Sequence, residues 1–583
     1  MNTVCAASLP PVISLCSRRW LRCLQPCAAL LSGILLSLSF PPVEGWWLAF
    51  AGFLPLLLVP FPCGRIRRLF QGFLFGYAYF GISFAWLNTV GFGAGALLAI
   101  PCALFPAAWY YLASAVLWTL KPRERPGMPT DEAALATRPG AGMWALRDWR
   151  GHALFALALP GSWCALEWVR SWIFTGMPWN QLGISQAFVP TRLLATAAGV
   201  YGISFVIVLA NVLAAGLIVG RYRRASALAL AVVASLVVAW CAFQWRMELP
   251  QSEPPIRIIA IQGNVPECRV WTEEEFDNAV AAYRGLTLDA HANAPAPADL
   301  YLWPEGAIPA PIVYEPYALV LADVLDKVST PLLIGALDER MPVGGSAANV
   351  YNSAFLLRDT ATFWRSMLVA RTDYYDKTHL VPFGEFVPFS KHFPWLADVI
   401  GMGRDLTPGR SYTLFRLSRS GTDIPLYAGV NICFEDVFPE ISRRFALSGA
   451  QMLFTITNDC WYKESSGARQ HQAHAVFRAV ENRLPLMRSG NNSHTCLITP
   501  KGEILAPITD ANGGDFAAGW HAYDVVPAPK DAPPTLYART GNLFAWICVA
   551  GTLAELLWLG GRLYRRKAAL LDVVERRERR PGK

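Results

Sequence analysis

Charge is scarce in this sequence. Only 16% of its 583 residues are Asp, Glu, Lys or Arg, against ~25% in an ordinary soluble chain. By contrast, 54% are hydrophobic and the mean hydropathy is +0.30. So apolar a chain is not dominantly disordered, and the balance argues against a wholly soluble protein. Paired cysteine motifs are missing too. The 13 cysteines are scattered, with no Cys-x-x-Cys and no metal-ligand spacing, so neither a disulfide framework nor a zinc site is expected, and no cofactor is implied. Internal repeats and long low-complexity tracts are also absent. Acidic residues are sparse at the end of the chain: Arg562–Lys583 holds nine Lys/Arg and three Asp/Glu, a net +6 out of +8 overall. Beside an apolar span, this tail reads as a cytoplasmic anchor and not as a nucleic-acid arm.

Long uncharged runs take the place of the missing charge. Crossing ~30 Å of hydrocarbon takes roughly 20 apolar residues. Gln25–Val43 and Gly45–Gly64 carry no charge, and Leu69–Leu120 has none over 52 residues, so it divides into two spans near Asn88–Gly95. Ala153–Thr175, Leu193–Gly220, Ala225–Trp245 and Gly541–Gly560 bring the expected number of spans to eight. The 22 Trp residues suit membrane interfaces. Positive residues precede the first span (Arg18, Arg19, Arg22) and recur in alternate loops (Arg65, Arg67, Arg68; Lys121, Arg123, Arg125, Arg147, Arg150; Arg221, Arg223, Arg224). This alternation predicts cytoplasmic termini and puts the long segment between spans seven and eight on the far side. No small-residue cleavage site follows the first run, so it reads as an uncleaved span. The expected divisions are a cytoplasmic segment at 1–24, spans one to seven at 25–245, a catalytic domain at 246–535, span eight at 536–561 and a basic tail at 562–583.

Residues 256–530 alternate short β-like and longer helix-like runs, the pattern of an α/β sandwich. Strands are expected at Ile256–Gln262, Asp299–Leu302, Pro331–Ile334, Val350–Leu357, Ser366–Ala370, Pro425–Ile432 and Gln451–Thr457. Helices are expected at Glu273–Ala290, Pro316–Val328, Pro439–Ser448 and Gln470–Asn482. Three polar residues end such runs: Glu305 after Tyr301-Leu302-Trp303-Pro304, Lys377 after Tyr374-Tyr375-Asp376, and Cys433 after Gly429-Val430-Asn431-Ile432. In α/β sheets ligands sit beyond the carboxyl ends of strands, so the three can converge. A carboxylate that takes the thiol proton, a lysine that steadies an oxyanion and a cysteine nucleophile suit acyl transfer through a thioester. Singly, each has a plainer reading, as a small buried hydrophobe or a surface charge. Their local contexts decide otherwise.

Those contexts are Trp303-Pro304-Glu305, Lys377-Thr378-His379-Leu380-Val381-Pro382-Phe383-Gly384-Glu385 and Cys433-Phe434-Glu435. They resemble, in order and content, the Glu–Lys–Cys motifs of the nitrilase (carbon–nitrogen hydrolase) superfamily. Asn458-Asp459-Cys460-Trp461-Tyr462 is similar to another element of that superfamily. Combined with eight spans, they resemble the apolipoprotein N-acyltransferase branch. Further likenesses are Gln262-Gly263-Asn264-Val265 with Trp271, Met177-Pro178-Trp179-Asn180-Gln181, and His471-Gln472 followed by Arg478, Glu481, Arg483, Pro485 and Arg488.

The resemblance implies a polytopic helical membrane domain carrying an extracytoplasmic αββα domain, in a bacterial inner membrane. It implies a phospholipid acyl donor, a diacylglyceryl-modified lipoprotein acceptor, contact with membrane lipids and no nucleic acid. It makes Cys433 the nucleophile, Glu305 the general base and Lys377 the oxyanion stabiliser. Glu385, Glu435, Trp271, Phe434, Asn458 and Asp459 support them. Phe434 stands where the family often has Tyr and so lacks a hydroxyl donor. A membrane-tethered amidase or nitrilase, and a transporter with an inactive nitrilase-like domain, are the competing readings. Pro388–Ile400, with Phe389, Phe393, Trp395 and Leu396, reads as a lid segment or as core packing. Glu167 and Arg170 stand close enough to pair on one helix face, although snorkelling to the outer interface explains them as well. Glu555 has no obvious partner.

Overall fold

A computed structural model describes residues 11–61, 64–120, 149–220, 222–266, 272–342, 348–368, 371–390, 392–393, 395 and 404–578. The basic loop residues Lys121–Arg147, Arg221, Trp271, Leu396 and the end of the basic tail lie outside the described residues.

The N-terminal half is a helical bundle. Its helices are α1 (Pro11–Ser37), α2 (Leu54–Leu58), α3 (Arg65–Ser83), α4 (Ala94–Leu120), α5 (Trp149–Arg170), α6 (Ala195–Val219) and α7 (Arg223–Arg246). A last helix, α14 (Leu543–Glu578), joins the bundle against α5. Several are apolar and long enough to cross a membrane, among them α4, α7 and the first twenty residues of α14. Small residues let α3 and α4 approach closely: a Cβ on Gly72 or Gly76 would meet Ala103, Pro106 or Ala107 within 3 Å. This is how bundles pack where lipid replaces water.

One expected span differs. Gly45–Gly64 is not a continuous helix but a 3-10 turn (Trp46–Phe50) followed by the five-residue α2. Pro55 enters at the first turn of α2 and Pro60 follows its end, and neither can donate a helical hydrogen bond. Side chains replace the lost ladder. Asn211 of α6 accepts from Phe53 N (3.1 Å) and donates to Ala49 O (2.8 Å). Ser32 accepts from Leu56 N (3.0 Å), and Gln25 donates to Pro60 O (2.8 Å). Broken backbone survives in a bundle only with such partners.

Between α7 and α14 lies a two-sheet sandwich. The first sheet has the order β13-β1-β2-β4-β5-β6, with β3 beside β4. Its strands are β1 (Ile256–Gln262), β2 (Leu300–Leu302), β3 (Ile308–Pro311), β4 (Leu332–Arg340), β5 (Asn349–Leu357), β6 (Tyr374–Asp376) and β13 (Gly519–Val525). The second runs β12-β11-β10-β9-β8-β7, from β7 (Phe415–Arg419), β8 (Thr422–Ile432), β9 (Met452–Thr457), β10 (Leu486–Gly490), β11 (Cys496–Ile498) and β12 (Ile504–Leu505). The centres of both sheets are parallel (β1, β2, β4; β8, β9, β10) and their edges antiparallel. Helices α8 (Glu273–Asn293), α9 (Glu315–Val328) and α10 (Thr360–Leu368) cover the first sheet through Ile259, Ile261, Trp303, Ile334 and Phe355. Helices α11 (Pro439–Leu447) and α12 (Ser466–Asn482) cover the second. The result is an αββα stack: an α/β sandwich, as the alternation predicted, in the layer order that the resemblance implied.

Of Ser366–Ala370, expected as a strand, the described part Ser366–Leu368 instead closes α10, with Phe363, Ser366 and Met367 buried along one face. Short apolar runs do not separate the two periods.

Helix α12 lies between the second sheet and α6, and every residue from Gly467 to Asn482 except the partly exposed Arg469 is buried. It is nonetheless polar. Its buried polar side chains draw their partners from within the protein, as Gln470, His471, Arg478 and Asn482 do. Short α13 (Leu536–Thr540) then leads into α14.

Candidate active site

Three strand ends, two from the first sheet and one from the second, deliver the site. Glu305 follows β2, Lys377 follows β6 and Cys433 follows β8. All three are nearly enclosed, with exposures of 8%, 1% and 8%. Gly335 of β4 lies under Glu305. A Cβ there would come within 2.6 Å of the Glu305 Cα, so only glycine lets the strand support that turn.

Glu305 Oε1 accepts from Lys377 Nζ (3.2 Å) and from Asn352 Nδ2 (2.7 Å), and its Oε2 accepts from Asn458 N (3.0 Å). Glu385 accepts from the same lysine (2.8 Å) and the same asparagine (2.9 Å), and from Val381 N (2.7 Å). Lys377 is thus an ammonium between two carboxylates. Burial alone would lower its pKa, but Glu305, Glu385 and the nearby Cys433 together hold it well above the ordinary value. Asn352 of β5 joins the two carboxylates and was not singled out from the sequence. Its only signal there is a polar residue inside an otherwise strand-like run.

Cys433 has φ +51°, a left-handed conformation that costs energy for a residue with a Cβ and is retained where a site demands it. It opens a tight turn, Cys433–Val437. Burial, with the Glu305 charge added, pushes its thiol well up, while Lys377 pulls the other way. The resting sulfur is therefore a thiol and needs a base. Glu435, two residues on and fully buried, binds the turn to the lysine loop. It accepts from Thr378 N (2.7 Å), Thr378 Oγ1 (2.8 Å), His379 N (3.2 Å), Tyr375 OH (2.8 Å) and Ile432 N (2.9 Å). Burial raises its pKa against those donors.

The other sequence candidates divide. Asn458 holds Glu305 through its backbone, as above. Asp459 stands away from the Glu–Lys pair: it accepts from His471 Nδ1 (2.9 Å), Thr457 Oγ1 (2.8 Å) and Arg488 Nη2. Burial opposes its charge, but Arg488 and His471 hold its carboxyl well below the usual range. Phe434 stacks on Trp179 at 6.1 Å and 18° and meets Phe438 edge-on at 5.2 Å. Trp179 comes from the bundle, so the wall beside the nucleophile is shared between the two halves.

Gln470 of α12 fixes that wall. Its Oε1 accepts from Trp86 Nε1 (3.0 Å), Trp179 Nε1 (2.9 Å) and Asn180 Nδ2 (3.2 Å), and its Nε2 donates to Pro41 O (3.0 Å) and Ser83 O (3.2 Å). Sequence reasoning missed this residue, because nothing local marks a glutamine that ties three distant loops.

Glu167 and Arg170 neither snorkel nor form an ion pair with each other among the described residues. Both are buried. Arg170 donates to Met177 O and to Trp179 O (2.9 Å), and Glu167 accepts from Leu182 N (2.7 Å). They shape the loop that carries Trp179. In the expected lid segment, Phe389, Phe393 and Trp395 are each more than half exposed, which is not core packing.

Comparison with known proteins agrees on both halves. The family "apolipoprotein N-acyltransferase N-terminal domain" matches residues 32–213 and the carbon–nitrogen hydrolase family matches residues 260–514. The chain is 32% identical to an apolipoprotein N-acyltransferase of Geobacter metallireducens, over 90% of this chain and 93% of that one. It is 28% identical to one of Vibrio vulnificus, over 92% and 97%. Among solved structures, a C145A mutant of Nesterenkonia AN1 amidase from the nitrilase superfamily aligns with 50% of this chain and 97% of that one, at 16% identity and a TM-score of 0.34. The chain belongs to the apolipoprotein N-acyltransferase family.

Proposed function

We propose that this membrane-associated acyltransferase works by a ping-pong route through a thioester on Cys433. Family membership makes it an N-acyltransferase of apolipoproteins, with a lipoprotein substrate and a lipid acyl donor. The finer reading takes a phospholipid as donor and the α-amino group of a diacylglyceryl-cysteine as acceptor. In the first half-reaction Glu305 takes the Cys433 proton, sulfur bonds to the acyl carbon, and the ester C–O bond breaks. Glu305 returns the proton to the departing oxygen of a lysophospholipid. In the second, the acceptor nitrogen bonds to the acyl carbon, the C–S bond breaks, and the amine proton returns to sulfur by way of Glu305. Lys377 steadies the oxyanion in both tetrahedral intermediates. Glu385 and Asn352 orient Lys377 and Glu305. Glu435 positions the nucleophile turn, Asn458 holds the base, and Asp459 acts through His471. Phe434 lines the pocket.

The single observation that carries this reading is the thiol in a left-handed turn, within electrostatic reach of Glu305 and Lys377, with its pKa raised so that it requires a base. The exposed aromatics between Phe383 and Trp395 fit a segment that meets acyl chains.

The chain is further read as crossing a bacterial inner membrane eight times. The broken segment 46–60 completes the second crossing, because Gln25 reaches its far end. Both termini are then cytoplasmic and residues 246–535 extracytoplasmic. To test the chemistry, the purified full chain is incubated with radiolabelled phospholipid. A hydroxylamine-sensitive acyl adduct on Cys433 is expected, absent in Cys433→Ala. Hydrolysis of a short amide without any adduct would overturn the transferase route. A reporter fused after Arg246 tests topology, and a cytoplasmic signal there would reverse the orientation.

A further inference from the structure

Against the nucleophile turn lies a second buried charge cluster, which includes neither Glu305 nor Lys377. His471 of α12 is fully buried. Its Nδ1 is 2.9 Å from Asp459 Oδ1 and its Nε2 is 2.9 Å from Asp436 Oδ1. The same Nε2 lies 3.2 Å from the carbonyl oxygen of Cys433. Arg488, also fully buried, pairs with Asp459 from β10 and donates to Ser493 O and His494 O (both 3.1 Å). Trp179 closes over the imidazole at 5.4 Å.

A peptide unit is planar and trans, so its carbonyl and the next residue's N–H point in opposite directions. The Cys433 carbonyl is aimed at α12, on the outer face of the second sheet. The Phe434 N–H therefore points the other way, toward the first sheet, which delivers Lys377 and Glu305. A donor bonded to the carbonyl end polarises the N–H at the other end. We propose that His471, clamped between Asp436 and Asp459, is a positioning residue that aims and polarises the Cys433–Phe434 peptide toward the oxyanion of the reacting acyl group. This rests on Cys433 being the nucleophile.

The clamp also fixes the charge. Burial would lower the imidazole pKa, but Asp436 and Asp459 push it up to about 10, so His471 is a cation at neutral pH. The other titratable or charged groups around it are Cys433 and Asp436 from the turn after β8, and Asp459 and Tyr462 from the turn after β9. Arg488 faces it from β10, and His494 from the loop beyond. His474 and Arg478 share its helix, and Arg170 of α5 acts on His474. His474 is driven well below its ordinary value, chiefly by burial, and does not compete for the proton.

The test uses the full-length enzyme in detergent with radiolabelled phospholipid, and reads the rate of adduct formation. Losing a direct oxyanion donor costs about 10²–10³-fold in kcat, and a group acting through one should cost on the order of tenfold. His471→Gln should therefore slow kcat by about tenfold at unchanged KM for phospholipid. Asp436→Asn removes one clamp charge and lowers the imidazole pKa. Its rate relative to wild type should fall as pH rises from 6 to 9, which loss of packing alone would not produce. A wild-type rate in His471→Gln, or a ratio for Asp436→Asn that stays flat with pH, overturns the inference. If His471→Gln does not fold, the Asp436→Asn ratio decides alone. Wild type without an adduct on Cys433 overturns the nucleophile reading itself, so the two failures are distinguishable.

Discussion

The bundle and the sandwich both bury polar groups, but for opposite ends. In the bundle, Asn211, Ser32, Gln25, Glu167 and Arg170 spend their hydrogen bonds on backbone atoms that broken helices and loops leave unpaired. Their task ends with the fold. In the sandwich, the parallel strands satisfy their own backbone, and side chains beyond their ends are free to satisfy one another. Glu305, Lys377, Glu385 and Asn352 bond to one another around one thiol, and each carboxylate takes only one backbone donor besides. The lesson is that regular sheet frees polar side chains for chemistry, whereas irregular helix consumes them.

The largest way to break that comparison is to remove the thiol or the side chains bonded to one another around it. Cys433→Ala should give no adduct. Glu305→Gln should slow adduct formation by about 10²–10⁴-fold, the usual contribution of a general base. Lys377→Met should cost about 10²–10³-fold and leave Glu305 and Glu385 facing each other without a cation. Equal rates in wild type and Glu305→Gln would remove Glu305 as the base. The corresponding bundle change, Asn211→Leu, should leave the rate per folded molecule intact and lower the melting temperature.

Next comes the seam between the halves. Gln470→Leu strips the acceptor from Trp86, Trp179 and Asn180. A buried donor left unpaired costs about 1–3 kcal/mol. A marked drop in melting temperature is expected together with slower adduct formation, because Trp179 supports Phe434 beside the nucleophile. If stability falls while the rate holds, the seam is an anchor only.

These residues also mark where sequence reading stops. Glu305, Lys377 and Cys433 were legible because each sits in a contiguous string after an apolar run, and strand ends converge by topology. Asp459 was legible as a motif, but its partner was not: it serves His471 and Arg488 and does not touch the Glu–Lys pair. Gln470 and Asn352 were invisible because their value lies wholly in contacts with residues distant along the chain. Glu167 and Arg170 were visible as charges in a span, but helix spacing suggested each other as partners, whereas the 177–182 loop takes both. The second span misled because composition alone cannot tell a continuous helix from one whose prolines require outside donors.

A pH scan sharpens the contrast further, with a smaller effect. Asp459 has its folded pKa depressed, so its contribution to stability is present above the unfolded value of about 3.9 and is lost as pH falls through the folded value. Melting of the full chain should therefore be lower at pH 3 than at pH 6. Asp459→Asn should be destabilised at pH 6 and lose less between the two. An equal acid-induced drop in both proteins would locate the sensitivity elsewhere.

The smallest expected effect tests what the outward faces mean. On α7, Leu228 and Leu236 are about two-thirds exposed, and in a bilayer or micelle their neighbours are hydrocarbon. Truncating either removes little, since lipid fills the gap as well as the leucine did. Leu236→Ala should change stability by no more than ~0.5 kcal/mol, the range of ordinary surface substitutions. In the sandwich, Ile258 of β1 is fully buried between the sheets, where no solvent molecule can replace the lost methyls. Ile258→Ala should cost about 2–5 kcal/mol. Similar apolar side chains should thus differ severalfold in cost according to which half they occupy. Thermal unfolding of both variants in the same detergent measures this. A large loss from Leu236→Ala would mean that α7 packs against protein, a further copy of the chain included, and that its exposed face is not a lipid face.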